Sequence, residues 1–279
     1  MATTALDERS LYLRRLVVRA LAGGGRGHVG PSFSLIEILR VLYDDFLNVR
    51  PKDPGWPDRD RLILSKGHGC LALYALLADK GFFPAAALDA FCREGAMLGG
   101  HPERGPVPGV EASTGALGHG LPIGVGLALA LRRRGLPGRV VVVTGDGELN
   151  EGSNWEAALM AAKHELGELS VFVDANGFQC YGETSQVLNL EPMVAKWEAF
   201  GFDTHEVDGH DVKALRSACA VLPSAEDRPS AVICRTIKGK GVPFVEGNPR
   251  WHYRFQFEPL ELEAILHALT PNALATTDA

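Results

Sequence analysis

The chain has 279 residues, of which 46% are apolar and 22% are charged, and its formal net charge at pH 7 is −6. This composition excludes a disordered chain, and the length suits one large α/β domain or two small ones. The negative charge excludes a global basic field that would attract nucleic acid or an anionic membrane, so any anionic ligand has to be held by a local group of residues.

The first part of the chain is predicted to be mainly helical. Apolar residues recur at helical spacing over residues 6–21, and the glycine-rich run at 23–27 ends this helix. A loop carrying His28 follows, and residues 34–46 have the pattern of a second amphipathic helix. The sequence L-I-L-S at 62–65 then predicts a short strand that leads into K-G-H-G.

The second part of the chain alternates buried strands with helices. The β-branched run at 139–144 is typical of a strand buried on both faces of a parallel sheet. The later predicted elements are a helix at 151–164, a strand at 169–173, a helix at 212–221, a strand at 231–237 and a helix at 258–269. This order predicts an α/β fold with a doubly wound, mostly parallel sheet and helices on both faces, in one domain spanning residues 1–279. The tail after about residue 270 is expected to be frayed.

The cysteines and the N-terminal residues indicate the cellular compartment. The five cysteines are scattered without C-x-x-C spacing, so neither a zinc knuckle nor a redox pair is indicated, and reduced thiols are expected. The first ten residues lack the cationic and apolar regions of a signal peptide, and no apolar run reaches the roughly 18 residues needed to span a bilayer. We therefore expect a cytoplasmic protein.

Oxygen ligands follow two of the predicted strands, at the edge where parallel α/β sheets bind ligands. Asp146 lies in the G-D-G sequence after the strand at 139–144, and Asn176 follows the next strand. Magnesium takes oxygen ligands, usually one or two protein carboxylates completed by phosphate oxygens and water. Gly145 and Gly147 would let the backbone approach a diphosphate beside the first N–H groups of the next helix. G-D-G alone is more often a turn, but its place after a buried strand and the paired Asn176 favour a metal–diphosphate site.

Several motifs of the chain resemble the transketolase superfamily of thiamine-diphosphate enzymes, and they occur in the order found in that family. They are G-R-G-H-V-G at His28, L-S-K-G-H-G at His68, G-G-H-P-E at His101, E-A-S-T-G-A-L-G-H-G from Glu111, G-D-G with Asn176, and K-G-K-G-V followed by W-H at His252. The resemblance runs from about residue 10 to about residue 255 and implies the thiamine-diphosphate-binding fold of the PP type.

The resemblance implies which residues bind the metal and the cofactor. Magnesium would be held by the side chains of Asp146 and Asn176 and by the carbonyl oxygen of Phe178. The residues implied to bind thiamine diphosphate are His68, Gly115, Ala116, Leu117, His119, Gly145, Gly147, Glu151, Asn176 and His252. In this set His68 and Gly147 would contact the diphosphate, and the backbone of residues 115–117 would line the aminopyrimidine ring.

The resemblance also implies a catalytic set of four histidines, His28, His68, His101 and His252. Imidazole suits this role, because a pKa near 6.5 lets it donate or accept a proton at neutral pH. The other histidines, His164, His205, His210 and His267, match no motif and are expected to be packed or surface residues. The chain departs from the usual family pattern at Ala116, where Pro is common, at His119, where Gln is common, and at Tyr253-Arg254, where a small residue is more usual.

The resemblance covers only the first part of single-chain transketolases, which continue through a pyrimidine-binding domain and a C-terminal domain. The glutamate that activates the aminopyrimidine in the family lies in the second domain. The resemblance therefore implies an α2β2 heterotetramer with a separate C-terminal, pyrimidine-binding subunit. The implied reaction is the thiamine-diphosphate- and Mg²⁺-dependent transfer of a two-carbon ketol unit from a ketose, or its phosphate, to an aldose, or its phosphate.

Other functions are compatible with parts of the sequence. A split thiamine enzyme of specialised biosynthesis with a non-standard acceptor would keep the same motifs. Its acceptor end could be reshaped by Tyr253, Arg254 and the Q-C-Y-G-E-T segment after Phe178. The α-subunit of a 2-oxo acid dehydrogenase is the other thiamine-dependent alternative, and the histidine set argues against it. A non-catalytic regulatory subunit would be expected to have lost ligands that are present here. A phosphatase or kinase using G-D-G for metal would need more clustered carboxylates.

Overall fold

A five-stranded, entirely parallel sheet forms the centre of the molecule, in the order β1-β2-β3-β5-β4. The computed structural model describes residues 4–180 and 182–270. Within them the strands are β1 (Arg61–Leu64), β2 (Val140–Gly145), β3 (Leu169–Ala175), β4 (Asp203–Asp208) and β5 (Ser230–Arg235). The predicted α/β fold with a doubly wound parallel sheet is thereby confirmed.

The helices of the described residues lie on both sides of this sheet. They are α1 (Glu8–Gly24), α2 (Gly30–Phe33), α3 (Ile36–Val41), α4 (Cys70–Asp79), α5 (Gly120–Arg133), α6 (Gly152–Lys163), α7 (Thr184–Val187), α8 (Met193–Ala199), α9 (Val212–Ala220) and α10 (Pro259–Ala268). In the part of the chain that the structure describes, no helix combines the length and apolar character required to cross a membrane. The five cysteines, all in that part, are free thiols.

Alternate residues of each central strand point to opposite faces of the sheet, and each face has its own hydrophobic core. Val141 and Val143 of β2 belong to the core shared with α1, α3, α4, α9 and α10. Val140 and Val142 belong to the core shared with α5, α6 and α8. All six residues of β2 are buried, which explains why its sequence is a continuous apolar run without alternation.

The observed elements differ from the predicted ones in ways that have physical causes. The helix predicted at 34–46 corresponds to α3 and a π-helical turn at Leu42–Phe46, and the short helix α2 precedes it. Strand β4 was not predicted, because it is a half-exposed edge strand of mostly polar residues. Helix α4 was not predicted either. The tail expected to fray after about residue 270 lies outside the described residues.

Helix α5 was also missed, because Pro122 and three glycines disfavour a helix in isolation. Tertiary packing explains why it forms. A Cβ atom added at Gly124 would lie 2.5 Å from Cγ2 of Val142, and one added at Gly120 would lie 2.4 Å from Cβ of Ser65. The glycines therefore let α5 approach the sheet closely, and this contact decides the local structure.

A buried ionic network joins α1 to the segment after β5. The Arg14 guanidinium donates to both carboxylate oxygens of Glu37, at 2.6 and 2.9 Å, and to the carbonyl oxygen of Lys240 at 2.7 Å. His210 lies 2.8 Å from Glu37 through Nδ1, and its Nε2 accepts the Ile237 N–H at 2.8 Å. Burial would raise the pKa of Glu37, but the charge of Arg14 outweighs burial and lowers it. The network thus fixes the segment 237–240 at the N–H of Ile237 and at the carbonyl oxygen of Lys240.

We expect Arg14→Met to lower the free energy of unfolding by about 3–5 kcal/mol, because it leaves the Glu37 carboxylate buried without its main cation. Denaturant unfolding at pH 7.5 measures this change. Arg19→Met is the matched control, since Arg19 lies on the same helix and forms an exposed ion pair with Asp89. Equal losses in the two variants would contradict the assigned importance of the buried network.

Candidate active site

A cavity of about 340 Å³ lies at the carboxyl ends of four strands of the sheet. Lys66 follows β1, Asp146 follows β2, Asn176 follows β3 and Lys238 follows β5, and all four side chains line the cavity. This is the edge where parallel α/β sheets bind ligands. The fold therefore brings together residues that are far apart in the sequence.

The turn after β2 fixes the Asp146 carboxylate beside Asn176. One carboxylate oxygen accepts the N–H of Gly147 at 2.8 Å, and the other accepts the N–H of Gly177 at 2.6 Å. The amide oxygen of Asn176 accepts the N–H of Phe178 at 3.1 Å. Asp146, Asn176 and Phe178 all line the cavity, so one carboxylate and one amide oxygen, the kinds of ligand that Mg²⁺ takes, lie together there.

The Asp146 carboxylate is buried, and it forms no ion pair with any of the described residues. Burial raises the pKa of Asp146 to about 7, and the neighbouring charge of Asp174 adds to this rise. A divalent cation beside the carboxylate would favour its ionised form. The chemistry of Asp146 thus fits a metal ligand.

Asp174 at the end of β3 is fully satisfied inside the protein. It forms a buried ion pair with the Lys66 ammonium and accepts hydrogen bonds from the hydroxyl groups of Ser34, at 2.7 Å, and Thr236. Burial would raise the pKa of Asp174, but its contact with Lys66 outweighs burial and lowers it. Asp174 also accepts from the Asn176 side-chain nitrogen at 3.1 Å, which orients the amide so that its oxygen remains available.

Glu148 connects the three loops that surround the cavity. Its carboxylate accepts hydrogen bonds from the Ser65 hydroxyl, from the N–H of Gly118 at 2.9 Å and from the N–H of Gly145 at 3.1 Å. Burial raises the pKa of this carboxyl group, and these hydrogen bonds partly oppose the rise. Glu148 therefore fixes the loop that ends at α5 against the ends of β1 and β2.

Four histidines from distant segments surround one point of the cavity wall. The ring centroid of His28 lies 5.4 Å from that of His68, 6.0 Å from that of His101 and 5.4 Å from that of His252. The rings of His68 and His252 are 5.5 Å apart. His28, His68 and His252 line the cavity, whereas His101 lies outside it and is exposed.

Burial keeps these imidazoles in their uncharged form. It lowers the pKa of His28 to about 3 and that of His252 to about 4, and it lowers the pKa of His68 and His101 as well. A neutral imidazole has one donor and one acceptor nitrogen. The Nδ1 atom of His252 is buried without a hydrogen-bond partner among the described residues, so this polar atom remains available to a ligand.

Only some residues of the G-A-L-G-H segment at 115–119 line the cavity. Gly115 and Leu117 line it, and Glu151 at the start of α6 does as well. A side chain at Gly115 would collide with the His101 ring, because its Cβ would lie 2.9 Å from the ring. Ala116 and His119 are exposed and do not line the cavity, and Nδ1 of His119 lies 3.0 Å from the carbonyl oxygen of Leu117.

Three charged residues of the cavity were not predicted from the sequence, namely Lys66, Glu148 and Lys238. The Lys238 ammonium donates to the carbonyl oxygen of Gln179 at 3.2 Å, and burial with the nearby charge of Lys66 lowers the pKa of Lys238 to about 8. The only signal for the two lysines was membership of the K-G-H-G and K-G-K-G-V motifs. Lys66 is paired with Asp174, whereas the Lys238 ammonium forms no ion pair with any described residue and favours an anionic ligand.

No three His, Cys, Asp or Glu side chains among residues 4–180 and 182–270 converge in the manner of a protein-enclosed metal site. A cation at Asp146 would meet a single carboxylate, so ligand oxygens would have to complete its coordination. Asp146, the amide oxygen of Asn176 and the Lys238 ammonium therefore fit a magnesium diphosphate better than magnesium alone.

Comparison with known families is consistent with this geometry. Residues 7–255 match the family described as "Transketolase, thiamine diphosphate binding domain". Among curated proteins, the chain is 44% identical to one subunit of the apulose-4-phosphate transketolase of Actinobacillus succinogenes, covering 89% of this chain and 90% of that one. It is 42% identical to one subunit of the 6-deoxy-6-sulfo-D-fructose transketolase of a Clostridium species, covering 88% of this chain and 90% of the relative.

Solved structures give the same result. A transketolase from Pichia stipitis in complex with sedoheptulose 7-phosphate superposes with a TM-score of 0.87 at 30% identity, covering 93% of this chain and 40% of that one. A transketolase from Leishmania mexicana gives a TM-score of 0.86 at 31% identity, covering 96% and 41%. The chain thus spans about two fifths of the length of these solved transketolases.

We expect Asp146→Asn to raise the free energy of unfolding of the metal-free protein at pH 8, because it removes a buried, unpaired carboxylate. The pKa of Asp146 is raised in the folded state from its ordinary value of 3.8 to about 7. The gain should therefore begin above pH 3.8, be complete above about pH 7 and vanish in more acidic solution. Denaturant unfolding at pH 8 and pH 4 measures it.

Asp174→Asn provides the matched comparison, because it should destabilise the protein at pH 8 by leaving the Lys66 ammonium buried without its partner. Similar destabilisation by both substitutions would contradict the different environments assigned to the two carboxylates.

Proposed function

The chain belongs to the transketolase thiamine-diphosphate-binding family, and on this basis we propose that it is the diphosphate-binding subunit of a two-component ketol transferase. The enzyme transfers a two-carbon ketol unit from a ketose or ketose phosphate to an aldose or aldose phosphate, with thiamine diphosphate and Mg²⁺. The observation that carries the proposal is a single cavity that combines an anion-binding end, at Asp146, Asn176 and Lys238, with a cluster of uncharged histidines.

The cofactor residues divide along the cavity. Asp146, Asn176 and the carbonyl of Phe178 hold Mg²⁺, while Gly147, His68 and Lys238 contact the diphosphate. The backbone at residues 115–117 lies along the aminopyrimidine ring. Bound thiamine diphosphate supplies a carbon nucleophile that attacks a ketose carbonyl and accepts the electron pair when the carbon–carbon bond breaks.

The histidines act on the substrate. Because burial keeps His28 and His252 uncharged at neutral pH, each can donate one hydrogen bond to a substrate oxygen or accept a proton from a substrate hydroxyl group. His252 keeps one ring nitrogen, Nδ1, without a hydrogen-bond partner among the described residues, so this nitrogen has not used its hydrogen-bonding capacity inside the protein. His101 lies at the outer edge of the cluster, where the part of the substrate remote from the cofactor would pass.

We propose that a separate pyrimidine-binding subunit completes the site in an α2β2 heterotetramer. Two relatives of similar length are named as transketolase subunits, whereas the solved transketolases are much longer chains. The Glu148 carboxylate already accepts internal hydrogen bonds, and Asp146 is assigned to Mg²⁺. This supports the proposal that another subunit supplies the carboxylate that activates the cofactor.

A cytoplasmic location is also proposed, and the five free thiols support it.

The face formed by α5 and α6 suits the partner subunit. Both helices begin at the cavity, directly after the 115–119 segment and after Glu151. Ile123 on α5 is 42% exposed, and Leu159 and Met160 on α6 are 59% and 46% exposed. An apolar surface that starts at the open side of a cofactor cavity would be buried by a subunit that closes the cavity.

Calorimetric titration of thiamine diphosphate with Mg²⁺ tests the proposed function, using this chain alone and then mixed with the protein encoded beside it. We expect tight binding, and ketol transfer, only in the mixture.

Asp146→Ala should abolish Mg²⁺-dependent binding without unfolding the chain, because it removes the only carboxylate of the metal site. Undiminished binding in this variant would refute the metal assignment, and transfer activity of this chain alone would refute the split site.

Leu159→Asp should weaken association with the partner and, through it, cofactor binding, because it places a charge on the proposed α5–α6 interface. Sedimentation velocity of the mixture measures the association. Leu260→Asp is the control, because Leu260 on α10 is also exposed but α10 packs on the opposite face of the sheet. If both substitutions weaken association equally, the α5–α6 face is not the interface.

A further inference from the structure

Tyr253 contacts His28 at the rim of the histidine cluster. The two ring centroids are 4.5 Å apart, which is closer than His28 lies to any of the other three histidines. Tyr253 is half-buried and does not line the 340 Å³ cavity. Its ring therefore meets His28 from outside the part of the site that fits the cofactor.

Backbone pairing fixes this contact. Gly27 and Arg254 form an antiparallel bridge in which each N–H donates to the other carbonyl oxygen at 3.0 Å. The next pair in this register is His28 opposite Tyr253, and side chains of such a non-hydrogen-bonded pair lie close together on one face. The position of Tyr253 thus follows from the loop that carries His28.

The rim beyond Tyr253 is apolar. The ring of Phe255 lies 4.7 Å from that of Tyr253, and Phe255 is 85% exposed. Arg254 does not supply a free charge at this rim, because its guanidinium forms an ion pair with Glu261 and lies 4.9 Å from the Trp251 ring. Aromatic faces pack on C–H groups and disfavour an anion.

We infer that Tyr253 is a specificity-determining residue that packs against the uncharged carbon chain of the acceptor aldehyde, beyond the carbonyl group held by the histidines. This inference rests on the proposed function. If the histidines hold the reacting oxygens, the remaining carbons of the acceptor lead away from the cofactor, and the Tyr253 ring is the next surface of this chain beside His28. A phosphate at the far end of an acceptor would then have to be held by groups other than Arg254.

The test compares two uncharged acceptors in the complete two-subunit enzyme, with hydroxypyruvate as a fixed three-carbon donor. Glycolaldehyde, with two carbons, is too short to extend beyond the histidines, whereas D-erythrose, with four, reaches Tyr253. Tyr253→Ala should lower kcat/KM for D-erythrose about tenfold, which corresponds to about 1.4 kcal/mol, and should change kcat/KM for glycolaldehyde much less. Tyr253→Phe keeps the ring and should behave as the wild type with both acceptors.

The outcomes are distinguishable. A selective loss on D-erythrose in Tyr253→Ala, and none in Tyr253→Phe, supports the inference. Equal losses on both acceptors would mean that Tyr253 only supports His28, and an unchanged ratio would mean that it does not contact the substrate, so either result overturns the inference while the proposed function stands. Absence of transfer by the wild-type complex would overturn the proposed function and this inference with it.

Discussion

The buried ion pair between Lys66 and Asp174 is the interaction on which the rest of the site depends. The side chains are 1% and 0% exposed, and they join the ends of β1 and β3 beneath the cavity. An unpaired charge at this depth costs several kcal/mol. Replacing either residue with an uncharged one would therefore leave the other as a buried, unpaired charge. Ser34 and Thr236 donate to the same carboxylate, so the segments after β1 and β5, the end of β3 and the residue after α2 are fixed around a single charge.

This arrangement gives two neighbouring carboxylates opposite tasks. Asp174 receives its cation from the protein, and its pKa is lowered; Asp146 receives none, and its pKa is raised by burial and by the charge of Asp174. A site that left both carboxylates unpaired would be too costly to fold, and one that paired both would have no affinity for a metal. The protein therefore pairs Lys66 with the structural carboxylate and leaves Asp146 without a cation, as the proposed metal site requires.

The sequence predicted the parts of this site that follow from local patterns, and missed those that depend on distant contacts. Buried runs such as 139–144 identified the central strands, and the motifs identified the four histidines, whose rings the fold places within 6.0 Å of the His28 ring. Helix α5 could not be predicted from its composition, because two of its three glycines, Gly120 and Gly124, are explained only by the close approach to Ser65 and β2. Nor could Glu148 be recognised, since its hydrogen-bond donors come from the residue after β1, the loop before α5 and the end of β2.

The hydrophobic cores of this chain are built without a partner subunit, whereas its cavity is open on one side. Both faces of the sheet are covered by helices of this chain, and the two cores are built from its own residues. The cavity is bounded by the strand ends on one side, while Ala116, Glu151 and the rim at Tyr253 remain accessible on the other. A chain with this division can fold alone and still lack a closed site. In the proposed two-subunit enzyme, the partner would therefore complete the geometry of the site without being needed for the core packing of this chain.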